Sequence, residues 1–146
     1  RISDVVMFFL SFLVVGVYIA ISLYLFFGSQ TEINSVEAKI LAEKLTSAFI
    51  EQGHFRQEAL TDNFNLYGKA GIVGSVIKNG DFYYMIKIYN FSDGAMVKTF
   101  VDGNHDFGVL CEIQGKNNPG CFHIELLVDN YRITILSAVR QEGAAV

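Results

Sequence analysis

Two cysteines, one asparagine and one aspartate are the residues whose types and positions promise chemistry. Cys111 and Cys121 are separated by Glu-Ile-Gln-Gly-Lys-Asn-Asn-Pro-Gly, a turn-rich connector. A disulfide closing that loop would contribute roughly 3 kcal/mol on a chain-entropy basis, and such bonds persist in oxidising compartments. Two free thiols are the alternative. A metal site is the weaker reading: the spacing is not a zinc pattern, although His123 would sit two residues from Cys121 on the same strand face. Asn90-Phe91-Ser92 is an N-glycosylation sequon on an expected turn, although so short a motif often arises by chance. Asp4 stands at the edge of a long apolar run, where its carboxylate can cap a helix or meet a cation.

Catalytic constellations are missing from the sequence. It contains no Gly-rich phosphate loop, no Gly-x-Ser-x-Gly and no His-Glu-x-x-His, and His54, His105 and His123 fall in separate segments. A Cys111–His123 pair competes with the disulfide for the same sulfur. The expectation is a non-enzymatic protein with no cofactor and no metal.

The element that dominates the chain is the run from Val5 to Phe27, 23 residues without a charge. As a helix it would span roughly 35 Å, enough to cross the hydrocarbon core of a bilayer. The apolar stretch of a signal peptide is shorter, about 7–15 residues. A buried core helix is the competing reading. Gly16, with Ser11 and Ser22, supplies small residues for close helix approach. Gly28 to Thr31 marks the exit from the membrane.

The remaining 119 residues suffice for one small head domain. Of the 11 basic and 15 acidic residues, 10 and 14 lie in this head, a net charge of −4. No basic patch is present, which argues against nucleic acid. Arg1 is the only cation flanking the apolar run on its N-terminal side, consistent with an acidic head outside the membrane.

A second, amphipathic helix is expected at about 34–52, capped by Asn34 or Ser35 and ended near Gly53. Val36, Ile40, Leu41, Leu45, Ala48 and Phe49 form its apolar stripe, with Glu37, Lys39, Glu43, Lys44 and Glu51 opposite. After an irregular stretch from His54 to Lys69 the period changes to two. Ile72–Lys78 and Phe82–Phe91 read as strands joined by an Asn79-Gly80 hairpin turn. Met96–Val101, Val109–Ile113, Phe122–Val128 and Tyr131–Val139 complete six strands with short connections, which favour an antiparallel meander. Phe82, Tyr84, Ile86 and Ile88 share one face of their strand, and Tyr83, Met85, Lys87 and Tyr89 the other. The tail from Gln141 to Val146 has no pattern. The fold class is therefore α+β: a long hydrophobic helix over 1–30, then a head over 31–146 containing an amphipathic helix and a small antiparallel sheet.

This plan resembles the type IV pilin superfamily, and is most similar to archaeal type IV pilin-like proteins. The start Arg1-Ile2-Ser3-Asp4-Val5-Val6 resembles the short Arg/Ser opening before the hydrophobic helix of archaeal members, which often have Pro where Asp4 stands here. Bacterial members carry a glutamate near the start of the helix. Here Val5 holds that place and the acid is Asp4. The matching residues lie in the first thirty, while the plan covers the whole chain.

The resemblance implies a short basic leader removed by a prepilin peptidase, so that a mature chain need not begin with Met. It further implies membrane insertion before assembly, then a helical homopolymer with the apolar helices bundled inside and the heads facing solvent. Heterologous contacts that do not close generate such an open filament. The expected output is adhesion or motility at the cell surface, towards an unspecified surface or host receptor. The alternative is a single-pass anchored accessory or binding module, whose head would use exposed aromatics such as Tyr83 and Tyr89.

Overall fold

The computed structural model describes residues 2–28, 30–113 and 118–140. Arg1, the connector residues 114–117 and the tail 141–146 lie outside the described residues, as do the side chains of Asp4 and Phe27. The chain divides into two compact units, Arg1–Thr31 and Glu32–Val146. The first holds helix α1 (Ile2–Gly28). The second is an α+β head.

The first element of the head is α2 (Gln30–Phe49), whose opening residues Gln30 and Thr31 count with the first unit. Asn34 and Ser35 therefore lie inside the helix and not at its cap, because nothing in Gln-Thr-Glu-Ile stops the helix from starting earlier. At the other end α2 stops at Phe49, short of Gly53. There Ile50–Glu51 (β1) and His54–Phe55 (β2) pair as a minimal antiparallel hairpin. Its turn residues Gln52 and Gly53 both have positive φ, 52° and 85°, the twist that two-residue hairpin turns require. The Asp129 carboxylate ties this hairpin down, accepting the Phe55 N–H at 2.8 Å and facing His54 Nδ1 at 3.3 Å.

A 3-10 turn (Gln57–Leu60) leads to two single-turn helices, α3 (Leu66–Ala70) and α4 (Gly74–Lys78). The expected strand at Ile72–Lys78 is thus a helical turn. Val73, Val76 and Ile77 recur at helical spacing, and one turn sends Ile77 into the core while Val73 and Val76 stay exposed. The Asn79-Gly80 pair is correspondingly no hairpin: Asn79 is the α-helical cap of α4 and only Gly80, at φ 91°, is left-handed.

Four strands form the main sheet: β3 (Phe82–Asn90), β4 (Met96–Gly103), β5 (Gly120–Val128) and β6 (Tyr131–Val139). All pairs are antiparallel and the order is β4-β3-β6-β5. This is two hairpins joined along β3 and β6, with Phe82 opposite Val139 and Asn90 opposite Tyr131, and not a meander. The expected strand at Val109–Ile113 is replaced by α5 (Asp106–Leu110) and the turn after it. Asn104 Oδ1 accepts the Asp106 N–H at 3.2 Å, opening a helical turn instead of an extended run.

The alternation along β3 decides what lies on each face. Tyr84, Ile86 and Ile88 pack with Ile133, Ile135 and Val139 of β6 beneath α2, whose Ala38, Leu41, Ala42, Leu45, Ala48 and Phe49 are all buried. Alanines at 38, 42 and 48 let the helix backbone approach the sheet. The Ser137 hydroxyl, fully buried, donates to the Ala38 carbonyl at 2.6 Å. Gly120 meets the helix even more closely: a Cβ there would lie 2.4 Å from backbone atoms of Asn34 and Ser35. Val36 and Ile40, expected in this stripe, instead remain 55% and 47% exposed. On the opposite face α5 drops Phe107 onto Tyr83 and Ala138. Tyr83 is consequently only 5% exposed and offers no binding surface.

A polar chain closes the core edge near α3. The Tyr84 hydroxyl donates to the Tyr67 hydroxyl at 3.2 Å, and Tyr67 donates a short bond to Asp102 Oδ2. That bond, helped by the Gly103 N–H, holds the Asp102 carboxyl below the usual carboxylate range, while burial pushes the Tyr67 hydroxyl up.

Two outcomes follow for the detergent-solubilised chain. Gly120→Ala forces the α2 backbone off the sheet and lowers the urea-unfolding free energy of the head by about 3 kcal/mol, the upper end of overpacking costs. For Asp102, whose native pKa is depressed, the stabilisation is complete above about pH 4 and is lost as pH falls through the lower native value. For Tyr67, whose native pKa is raised, it is complete below about pH 10 and is lost above. Tyr67→Phe therefore flattens the stability-versus-pH curve at both the acid and the alkaline end. Parallel curves for the two proteins would contradict this.

Candidate functional site: an uncovered apolar helix

Helix α1 satisfies its own backbone, and Ser11 and Ser22 are satisfied as well. Ser11 donates to the Met7 carbonyl and Ser22 to the Tyr18 carbonyl, each at 2.9 Å and one turn back. Neither serine hydroxyl is left needing water, as suits a helix in an apolar medium, while the phenols of Tyr18 and Tyr24 stand exposed on its surface. The span Val5–Phe26 is 22 residues long with a mean hydropathy of 2.6. All its residues are exposed, the large apolar ones from Val17 at 50% to Tyr24 at 80%. Apolarity on all sides is the mark of a helix that is covered by lipid or by other chains.

Gly16 sits midway along this span, and a Cβ built on it would meet no atom within 4 Å. It leaves a notch in an otherwise bulky surface, where a second helix backbone can come close. Phe8 and Phe12 lie one turn apart with ring centroids 5.7 Å from each other, forming an aromatic ridge. Val5 and Gly16 of the sequence-derived assembly residues are therefore on the exposed helix. Asp4 and Phe27 bracket it in the chain, their side chains outside the described set.

The other sequence-derived residues lie in the head. Cys111 and Cys121 are bonded, with Cα atoms 5.8 Å apart. The bond joins the turn after α5 to the first residues of β5 and seals the small core of Tyr83, Phe107 and Ala138. His123 is exposed, and among the described residues no group of three or more His, Cys, Asp or Glu side chains could hold a metal ion. Asn90 ends β3 on the turn before β4. The structure does not bring these residues together into one site.

Sequence reading missed a second apolar feature. Ile40, Leu41 and Lys44 of α2 face Ile72, Val73, Val76 and Ile77, and Glu37 shares the groove between them. Its Oε2 is buried without a hydrogen-bond partner among the described residues. The helical arc Val36-Glu37-Ile40-Lys44 held the only sequence signal, because those apolar positions lie off the stripe that covers the sheet.

Helix α1 thus has the length and apolarity of a membrane-inserting segment or a signal sequence, and the disulfide points to a location outside the cytoplasm. No family model, curated protein or solved structure matches the chain, so its functional reading rests on this geometry.

Proposed function

We propose that this chain is a structural subunit of an extracellular filament of the type IV pilus kind, held in the membrane before assembly and polymerised through α1. The observation that carries the reading is the 22-residue apolar span of α1, none of whose residues is buried. Such a surface leaves lipid only if neighbouring helices replace the lipid. Identical helices do this at little cost in polar groups, because Ser11 and Ser22 are already bonded within their own helix and only the Tyr18 and Tyr24 phenols remain to be accommodated. The head, carrying the net charge of −4, keeps the assembly soluble while the helices stay dry. The output of such a filament is adhesion or motility, and its principal partner is a second copy of the chain.

Asp4 adds a candidate for setting the axial stagger. A carboxylate beside an apolar helix is costly to bury without a cation. The Arg1 guanidinium or the terminal amine of a neighbouring subunit would supply one. A helix cap is the simpler role for the same side chain.

Val15→Asp tests the main reading. One aspartate at mid-helix costs about 3 kcal/mol on insertion scales, tolerable in a run this apolar, so the variant stays in the membrane fraction. In a filament core the same charge would recur unpaired in every subunit, so sheared filaments visible by electron microscopy disappear. A wild-type chain recovered only from detergent-extracted membranes, never from the sheared fraction, would instead support an anchored module. Asp4→Asn and Asp4→Ala separate the roles of the acid, since asparagine caps nearly as well but carries no charge. Loss of filaments in both points to the charge pair, and loss in Asp4→Ala alone points to the cap.

A further inference from the structure

We propose that Asn90 is the acceptor of an N-linked oligosaccharide. Asn90-Phe91-Ser92 is the only Asn-x-Ser/Thr triplet in the chain, and its middle residue is not proline, as the modification requires. The fold places it where β3 runs into the turn before β4, with Asn90 half-buried at the strand end, Phe91 64% exposed and Ser92 also exposed.

The geometry presents the reacting atom. The Asn90 backbone is fully engaged, its N–H on the Ala95 carbonyl and its carbonyl on the Gly94 N–H, both at 2.9 Å. Its side-chain Oδ1 accepts the Ser92 N–H at 3.0 Å. Only an oxygen can accept that bond, so the carboxamide orientation is fixed and Nδ2 lies on the other side of the group. Nδ2 has no hydrogen-bond partner among the described residues, and the same holds for the Ser92 hydroxyl. The two side-chain groups that define the motif are therefore free together at an exposed turn. The Cys111–Cys121 disulfide independently points to an oxidising compartment for the head, where surface sequons are modified.

The step is a glycosyl transfer without redox change. The donor is an oligosaccharide joined through its anomeric carbon to a phosphate of a membrane lipid. Nδ2 attacks that carbon, forming a C–N bond as the carbon–oxygen bond to phosphate breaks. The lipid phosphate leaves with the electron pair, and the proton lost from Nδ2 passes to a base of the transferase.

Ser92→Ala separates modification from structure. The bond to Asn90 Oδ1 comes from the backbone N–H, so alanine keeps the turn and removes only the hydroxyl that the transferase reads. Intact mass spectrometry of the chain purified from its own cells should show a mass above that of the polypeptide, with the excess on the peptide that contains Asn90. The excess should vanish in Asn90→Gln and in Ser92→Ala, and persist in Ser92→Thr. A wild-type mass equal to the bare polypeptide would overturn the proposal, as would an excess that survives both Asn90→Gln and Ser92→Ala. Neither result depends on whether the chain forms filaments.

Discussion

The head depends on how closely one helix can lie on one sheet. Helix α2 approaches β5 and β6 closely because three of its sheet-facing positions are alanine and because Gly120 has no side chain to hold it off. The Ser137 hydroxyl then reaches the Ala38 carbonyl and fixes the helix along its own axis. With the helix in that place, Leu41, Leu45 and Phe49 fill the space above β3 and β6. Phe49 continues the packing to Phe64 and Phe100, at ring-centroid distances of 5.7 and 5.6 Å. The irregular stretch between β2 and β3 is thereby held by aromatic contacts in place of regular hydrogen-bond ladders.

The second face of the sheet follows from the first. With one face of β3 committed to α2, Tyr83 and Met85 need their own cover, and the chain provides it in the segment between the two hairpins. Helix α5 is only one turn long, too short to persist alone. It is anchored by Phe107 on one side and by the disulfide after it on the other. A small satellite core is thus stapled covalently where apolar area alone would be meagre.

What the sequence made legible was whatever depends on neighbours along the chain. The apolar run of α1 is a local property, and so is the period-two alternation of β3, β4, β5 and β6. The cysteine pairing was legible for the same reason, because a ten-residue separation leaves few alternatives. The misreadings came where a short apolar run fits either period. Ile72–Lys78 and Val109–Ile113 contain β-branched residues at spacings that one helical turn serves equally well, and only the surrounding packing decides. The Gln52-Gly53 turn went unseen because glutamine rarely takes positive φ, and the hairpin it closes is held from outside by Asp129. The groove beside Glu37 was hard to read for a different reason: it is made by segments at least 27 residues apart.

The back-bonded serines of α1 have a mechanical consequence. Serines turned back onto their own helix make no directional bond to anything around it, so away from the Tyr18 and Tyr24 phenols contacts between two such helices are governed by shape and area. Sliding one past another there exchanges equivalent apolar contacts, with barriers set by ridges such as Phe8 and Phe12 and notches such as Gly16. A polymer built on helices of this kind would stretch under load by slippage, recover when the load is removed, and break only after its subunits had travelled far along one another.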